Sequence, residues 1–330
     1  MAQDAYSHIG ILGAGAWGTA LAATAARAGR RTTLWARNGS LLVDISAGEN
    51  EKYLPGVELP EDISVTSTLA VAAGAEAIIL AVPAQATRAL LQDLLPLLPG
   101  KTAPLVIAAK GIEKQTGKLL PEVLADAAPG HPVAILSGPG FARDMALGLP
   151  TAVTIAGAGA ERLQATLSTP GFRPYAGDDV TGVALGGAAK NVYAIACGVV
   201  EGLKLGENAR AALLARSFAE LARLGEALGA KRETLMGLSG LGDLVLSATS
   251  RSSRNFTAGV ELGSGKPPAT LTAPGHALAE GVATAPALVA RAKTVGVEMP
   301  IAEAMADLLA GSLPLDQAVA RLMNRKLTSE

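Results

Sequence analysis

Lys190 is the only charged residue between Asp179 and Glu201, and the residues around it are apolar on nearly every face of a helix. A helix of that composition is expected to be buried. A lysine inside it must find hydrogen-bond partners or hold its proton less tightly, because desolvation disfavours the ammonium relative to an unperturbed pKa of roughly 10.4. Either condition suits a group that takes the proton from a hydroxyl and returns it in the reverse direction. The competing reading is a lysine whose stem crosses apolar surface and whose ammonium reaches water. Asp243 is the complementary outlier, since Thr234 to Ser250 contains no other charge. It fits a helix cap, and it fits equally well a carboxylate that pairs with Lys190 and sets its protonation.

Three further groups carry chemical potential. Lys110 follows the β-type run Ala103 to Ala109, where an open parallel sheet places its ligands. A cation there can hold an anion or polarise a carbonyl. Ser137-Gly138-Pro139-Gly140 follows the next β-type run and offers backbone amides at the same edge. Ser252-Ser253-Arg254-Asn255 combines hydroxyls, a guanidinium and an amide, the donor set that a phosphate needs, though a solvated loop has the same composition. The one cysteine, Cys197, is flanked by apolar residues and reads as core rather than nucleophile.

Near the N-terminus, Ile9 to Leu12 reads as a strand running into Gly13-Ala14-Gly15-Ala16-Trp17-Gly18, a helix-compatible stretch through Ala28, and a second strand. In that setting Gly13 permits the tight turn, Gly15 lets backbone approach a pyrophosphate, and Gly18 lets helix and strand pack closely. A dinucleotide is therefore expected at the helix N-terminus. The alternative is a glycine-rich turn in some other α/β protein. No Asp or Glu lies between Asp4 and Asp44 to take the ribose hydroxyls, while Arg37 ends the second strand. That favours acceptance of NADP(H) beside or in place of NAD(H), unless Arg37 is a plain surface charge.

The elements that must position these residues alternate in the first half. Strands are expected at His8–Leu12, Arg31–Trp35, Ile63–Thr66, Ala77–Val82, Ala103–Ala109 and Pro132–Leu136, with helix-length segments between them, the pattern of a mostly parallel sheet. Ala152–Ala156 and Phe172–Tyr175, around a helical stretch near Glu161–Ser168, extend the same sheet. Beyond Gly186 helical periodicity takes over, clearest at Leu213, Leu214, Phe218, Leu221, Leu224 and Leu228, with Gly229 as the stop. Residues 1–186 are thus expected to form an α/β domain and residues 187–330 an all-α domain, with a long loop at Gly263–Gly275.

A chain of 330 residues with 49% hydrophobic residues and a mean hydropathy of +0.34 can bury two cores. A net charge of -1 provides no field for nucleic acid or an acidic membrane, so an anionic substrate must be held by local cations. Ala5 to Ala26 lacks Asp, Glu, Lys and Arg, but only Asp4 precedes it, Arg30-Arg31 follows it, and glycines interrupt it. No targeting or membrane segment is read there, and a cytoplasmic location is expected. His8, His131, His276 and Cys197 have no metal-ligand spacing, so no metal is expected.

Together these runs resemble the bacterial-type NAD(P)-dependent glycerol-3-phosphate dehydrogenase family along nearly the whole chain. The matching segments are Gly13–Ala20 (GAGAWGTA), Ala109–Glu113 (AKGIE), Ser137–Ala142 (SGPGFA), Ala188–Gly198 (AAKNVYAIACG), Gly240–Leu246 (GLGDLVL), Ser253–Asn255 (SRN) and Glu280-Gly281. The resemblance implies a Rossmann-type domain followed by a helical substrate domain, and exchange between dihydroxyacetone phosphate and sn-glycerol 3-phosphate, the latter for phospholipid synthesis. It implies cofactor contacts from Ala16, Trp17, Arg37, Lys110, Ala142, Arg254, Leu278 and Glu280, beside the glycines Gly13, Gly15 and Gly18. It further implies Lys190 as proton acceptor, and substrate contacts from Lys110, Gly138, Gly140, Asp243, Ser253, Arg254 and Asn255. A homodimer is implied as well. Two departures are local: Gly140 stands where the family more often has Ser or Thr, and Phe256-Thr257-Ala258 where further arginines are common. Competing classes are a β-hydroxyacid dehydrogenase of the 6-phosphogluconate or hydroxyisobutyrate type and a non-enzymatic NAD(P) sensor. The Asp243 and Arg254-Asn255 region fits a short phosphorylated triol better than the first, and isolated Lys190 and Asp243 would be superfluous in the second.

Overall fold

The computed structural model describes residues 5–98, 100, 102–273 and 278–324. The chain divides into two compact units, Met1–Lys110 with Leu119–Ala184, and Gly111–Lys118 with Leu185–Glu330.

The first unit is built on an eight-stranded sheet: β1 His8–Leu12, β2 Arg31–Trp35, β3 Ile63–Thr66, β4 Ala77–Leu80, β5 Leu105–Ile107, β6 Val133–Ser137, β7 Thr151–Gly157 and β8 Phe172–Gly177. Its order is β3-β2-β1-β4-β5-β6-β7-β8. The chain winds outward from β1 through β2 to β3, then returns to place β4 on the other side of β1. That reversal opens a crevice at the C-terminal ends of β1 and β4, the usual ligand position in such sheets. Every residue of β1 is buried, as expected of a central strand covered on both faces. Ile9, Ile11, Leu21, Leu34, Ile79 and Val106 are fully buried in the core of this unit, each contributing about 1.5–3 kcal/mol. The helices are α1 Ala16–Arg27, α2 Gly39–Ser46, α3 Leu69–Ala73, α4 Thr87–Leu94, α5 Leu120–Ala127, α6 Ala142–Ala146 and α7 Ala160–Leu167.

All eight expected strands are present, with ends that differ by up to two residues. One relationship differs from a uniformly parallel sheet: β7 runs antiparallel to β6, and β8 follows β7. The segment between β6 and β7 contains only the five-residue α6, so the chain turns back instead of crossing over as a parallel partner requires.

The second unit contains helices and no strand among its described residues: most of α8 Val180–Gly202, then α9 Glu207–Ala227, α10 Arg232–Met236, α11 Asp243–Thr249, α12 Arg254–Gly263, α13 Glu280–Thr294, α14 Pro300–Leu309 and α15 Leu315–Met323. α8 has the length and composition of a membrane span, yet its apolar window is wholly buried inside the protein. Its glycines explain how α12 approaches so closely. A Cβ on Gly198 would stand 2.1 Å from the Phe256 carbonyl oxygen, and one on Gly259 would stand 2.0 Å from that of Ile195. Backbone contact at this seam brings the start of α12 beside the middle of α8.

A buried carboxylate ties α8, α9 and α14 together. Glu220 of α9 accepts from the Ile301 and Ala302 amides at 2.7 and 3.4 Å, and the Tyr193 hydroxyl donates to it at 3.4 Å. It thereby satisfies donors at the start of α14 that no intrahelical acceptor serves. The Tyr193 hydroxyl is pushed well above its ordinary pKa by burial and by the neighbouring Glu220 charge. The stretch read as a loop at 263–275 holds a short 3-10 turn, Pro268–Thr272, with Leu271 buried; Pro267-Pro268 presets the backbone for it. Residues 274 and 275, like His276, lie outside the described residues.

Candidate active site

In the first unit the glycine loop joins β1 to α1. Gly13 has φ +113°, and a Cβ there would stand 3.0 Å from the Ala81 carbonyl. A Cβ on Gly18 would stand 1.8 Å from the Gly13 carbonyl oxygen, whereas one on Gly15 would meet nothing within 4 Å. Gly13 and Gly18 are therefore demanded by the fold, while no protein atom requires the absence of a side chain at Gly15, which leaves room for backbone to be approached closely by a ligand. Gly15 is the N-cap of α1, makes no side-chain cap bond, and is followed by no acidic residue in the first turn. A helix start with unserved donors and no competing carboxylate fits a pyrophosphate. Asn50 braces this loop, donating to the Ala14 carbonyl at 3.3 Å and the Thr19 hydroxyl at 2.8 Å. Its sequence surroundings give no sign of that role.

Arg37 lies just past β2 and is exposed. Asn38 caps α2, its Oδ1 accepting from the Ser40 amide at 3.0 Å and the Ser40 hydroxyl at 2.8 Å. No carboxylate occupies the end of β2 where a ribose-binding acid would stand.

Lys110 is brought to the glycine loop. Its Nζ lies 5.4 Å from the centre of the Trp17 ring and donates to the Gly138 carbonyl at 3.0 Å. A Cβ on Gly138 would stand 2.7 Å from the Val153 Cα, so the turn after β6 needs glycine. At Gly140 a Cβ would stand 3.1 Å from the Thr151 methyl and 3.5 Å from the Trp17 ring. Ala142 opens α6. Trp17, Lys110, Gly138 and Gly140 thus form one cluster, and Arg37 stands at the end of a neighbouring strand.

In the second unit Lys190 and Asp243 meet: Nζ and Oδ1 are 3.1 Å apart, with side chains 11% and 2% exposed. The lysine reaches into the protein rather than out to water. A π-helical turn, Leu238–Gly242, precedes α11 and delivers Asp243 as its first residue; such turns recur at functional sites. A third group completes the arrangement. The Ser247 hydroxyl accepts from Lys190 Nζ at 2.7 Å and donates to Asp243 Oδ1 at 3.3 Å. Ser247 was invisible as a functional candidate, although its spacing of four residues from Asp243 puts both on one helix face.

Ser253 caps α12, its hydroxyl accepting from the Phe256 amide at 3.3 Å. Arg254 is exposed at the first position of that helix. The Asn255 side chain donates to Asn191 Oδ1 and accepts from the Gly281 amide, both at 2.9 Å, which locks α12, α8 and the start of α13. Asn255 therefore carries a structural duty beside any contact with substrate. Phe256 and Ala258 point into the core, at 2% and 1% exposure, so these positions are used for packing rather than for extra cations. Leu278 is exposed and Glu280 begins α13. Cys197 is fully buried, and burial pushes its thiol up to about 12, the behaviour of a core residue. Among the described residues no group of three or more His, Cys, Asp or Glu side chains is placed to hold a metal.

A doubly wound sheet with an uncapped glycine loop at its switch point, in a chain whose helical unit buries a lysine–aspartate–serine cluster, defines a nicotinamide-dependent dehydrogenase. Comparison with known proteins narrows the class. Residues 8–162 match the family described as NAD-dependent glycerol-3-phosphate dehydrogenase N-terminus, and residues 179–320 match its C-terminus. The chain belongs to the NAD-dependent glycerol-3-phosphate dehydrogenase family. It is 53% identical over 328 residues to the glycerol-3-phosphate dehydrogenase [NAD(P)+] of Rhodospirillum rubrum, covering 98% of this chain and 94% of that protein. Identity to the enzyme of the same name from Parvibaculum lavamentivorans is 51% over 331 residues, covering 99% of each. The crystal structure of glycerol-3-phosphate dehydrogenase from Coxiella burnetii superposes with a TM-score of 0.92 at 38% identity, covering 97% of this chain and 99% of that one. These matches favour this family over the hydroxyacid dehydrogenases.

Proposed function

We propose that the chain reduces dihydroxyacetone phosphate to sn-glycerol 3-phosphate, reversibly, with NADPH or NADH, and so supplies glycerol 3-phosphate for phospholipid synthesis. The observation that carries the reading is the buried Lys190–Asp243–Ser247 cluster, in a member of a family whose relatives bear that activity in their names. When bound, the reduced nicotinamide supplies a hydride to carbon 2. Gly13, Gly15, Ala16, Trp17 and Gly18 hold the dinucleotide, Arg37 takes an adenosine 2′-phosphate, and Ala142, Leu278 and Glu280 add contacts. Ser253, Arg254 and Asn255 hold the substrate phosphate, which orients carbon 2 through binding energy remote from the reacting atoms. Lys110 steadies the substrate oxygen, with Gly138 and Gly140 lining that edge. The Lys190 ammonium gives its proton to that oxygen in reduction and takes it back in oxidation, while Asp243 and Ser247 fix the amine in place.

Residues 1–186 are assigned to cofactor binding and 187–330 to substrate binding and proton transfer. A cytoplasmic homodimer with small-molecule ligands, without nucleic acid or membrane partners, completes the reading. The test is the near-ultraviolet absorbance of NADPH and NADH on adding dihydroxyacetone phosphate. Rapid loss is expected with at least one. No loss with either, in protein that binds NADPH, overturns the proposal and favours a hydroxyacid substrate or a sensor.

A further inference from the structure

The Trp17 ring has an unusual setting for a tryptophan of the cofactor loop. Its Nε1 is buried and makes no hydrogen bond among the described residues, whereas a buried indole N–H ordinarily finds an acceptor. What the ring does contact is informative: the Lys110 ammonium lies 5.4 Å from its centre, and the Gly140 turn packs along its edge. The same ammonium donates to the Gly138 carbonyl at 3.0 Å. A lysine on a four-carbon stem has many rotamers, and each one frozen on ligand binding weakens affinity. Here the stem is held in advance, between an aromatic face and a carbonyl.

We propose that Trp17 is a positioning residue, whose ring face together with the Gly138 carbonyl holds the Lys110 ammonium ready for the phosphorylated ketone. The proposal rests on the substrate role given to Lys110 above. Because Trp17 sits in the first turn of α1, one side chain joins the cofactor loop to the substrate cation. The indole N–H has no part in this, so phenylalanine should serve nearly as well, and an aliphatic side chain should not.

The expected result for Trp17→Leu, at saturating NADPH, is a fall of about three- to tenfold in kcat/KM for dihydroxyacetone phosphate, the scale of one cation–π contact. Trp17→Phe should recover most of the loss, and Trp17→Leu should add nothing to it in a Lys110→Ala background. A loss confined to NADPH affinity, or an undiminished effect in the Lys110→Ala background, overturns the proposal. A second readout needs no turnover. The chain has two tryptophans, so in Trp35→Phe protein the emission reports Trp17 alone, and Lys110→Ala should change its intensity or wavelength. An unchanged emission counts against the pairing. A changed emission in protein that does not reduce dihydroxyacetone phosphate supports the pairing and strikes the substrate assignment instead.

Discussion

Lys190 Nζ and Asp243 Oδ1 stand 3.1 Å apart inside the helical unit, with Asp243 almost wholly withdrawn from water. Charges buried at this depth are costly singly and tolerable as a pair, so removing one partner should cost about 3–5 kcal/mol of stability. Lys190→Ala is expected to lower turnover about a hundredfold or more, the scale of a positioned acid or base, with NADPH affinity nearly intact. The two effects separate in a double variant. Lys190→Met with Asp243→Leu replaces the pair by apolar volume and should regain most of the melting temperature while remaining inactive. Turnover regained along with stability would remove Lys190 from the chemistry.

Ser247 stands between the two charges, accepting from the lysine and donating to the aspartate. Ser247→Ala should loosen the amine without emptying the site, at a cost of about one hydrogen bond, or roughly 1 kcal/mol. A fall in kcat of about fivefold is expected, with a displaced pH profile and an unchanged KM for NADPH. Ser247→Thr should restore both, and an unaltered pH profile in the alanine variant would confine the serine to packing.

Much of this was legible because the signals were local. The glycine spacing after β1 declares a strand, turn and helix in a dozen residues, and a lone lysine in a long apolar run announces its own burial. Other features depend on partners distant in sequence. Asn50 braces the glycine loop from 31 and 36 residues away, and nothing in its neighbourhood predicts that. Asn255 reads as a phosphate donor from its neighbours in the chain, but its second duty, bonding Asn191 and Gly281, depends on residues far away in sequence. The direction of β7 was hidden for a related reason: hydrophobic alternation marks a strand but not its polarity, which depends on whether the intervening chain crosses over or turns back.

The two glycines Gly15 and Gly18 should differ in stability, though not in loss of NADPH affinity, under the same substitution. An added methyl at Gly18 meets the Gly13 carbonyl at 1.8 Å, so the loop or α1 must shift. Gly18→Ala is expected to lower the melting temperature and abolish NADPH binding, as overpacking of about 1–3 kcal/mol or more implies. Gly15→Ala meets no protein atom within 4 Å and should leave stability within about 0.5 kcal/mol, while NADPH affinity drops. Thermal melts and NADPH titration of both variants decide it; intact affinity in Gly15→Ala would place the pyrophosphate elsewhere.

His8 gives the fold a pH dependence of known sign. It is 7% exposed on β1, with Nε2 2.9 Å from the Thr33 hydroxyl. Burial, and then the Arg31 charge, lower its pKa from 6.5, with Glu76 opposing. The unfolded chain therefore binds the proton more readily than the folded one. Its contribution to stability is complete above the unfolded value and is lost as pH falls through 6.5 toward the folded value. Urea unfolding at pH 7.5 and 5.5 should show a smaller decline for His8→Gln than for the parent protein. An equal decline would assign the acid sensitivity to other groups.

The role proposed for Arg37 is discrimination between the two nicotinamide cofactors. It stands exposed beyond β2, in the position where NAD-selective sites carry an acid, and the first acid after it is Asp44 in α2. A guanidinium there can make charge-assisted hydrogen bonds to a 2′-phosphate but only a weaker bond to the neutral oxygen of a 2′-hydroxyl. Arg37→Ala should raise KM for NADPH by about ten- to a hundredfold, the worth of hydrogen bonds to a charged group, and leave KM for NADH nearly unchanged. Arg37→Asp goes further, repelling the phosphate and accepting from the ribose hydroxyls, so NADH should become the better cofactor. Because the site is exposed, salt should screen the attraction: the parent protein's KM for NADPH should rise between low and high ionic strength, and that of Arg37→Ala should rise much less. Equal losses for both cofactors in Arg37→Ala would mean that the residue supports the loop rather than reading the phosphate.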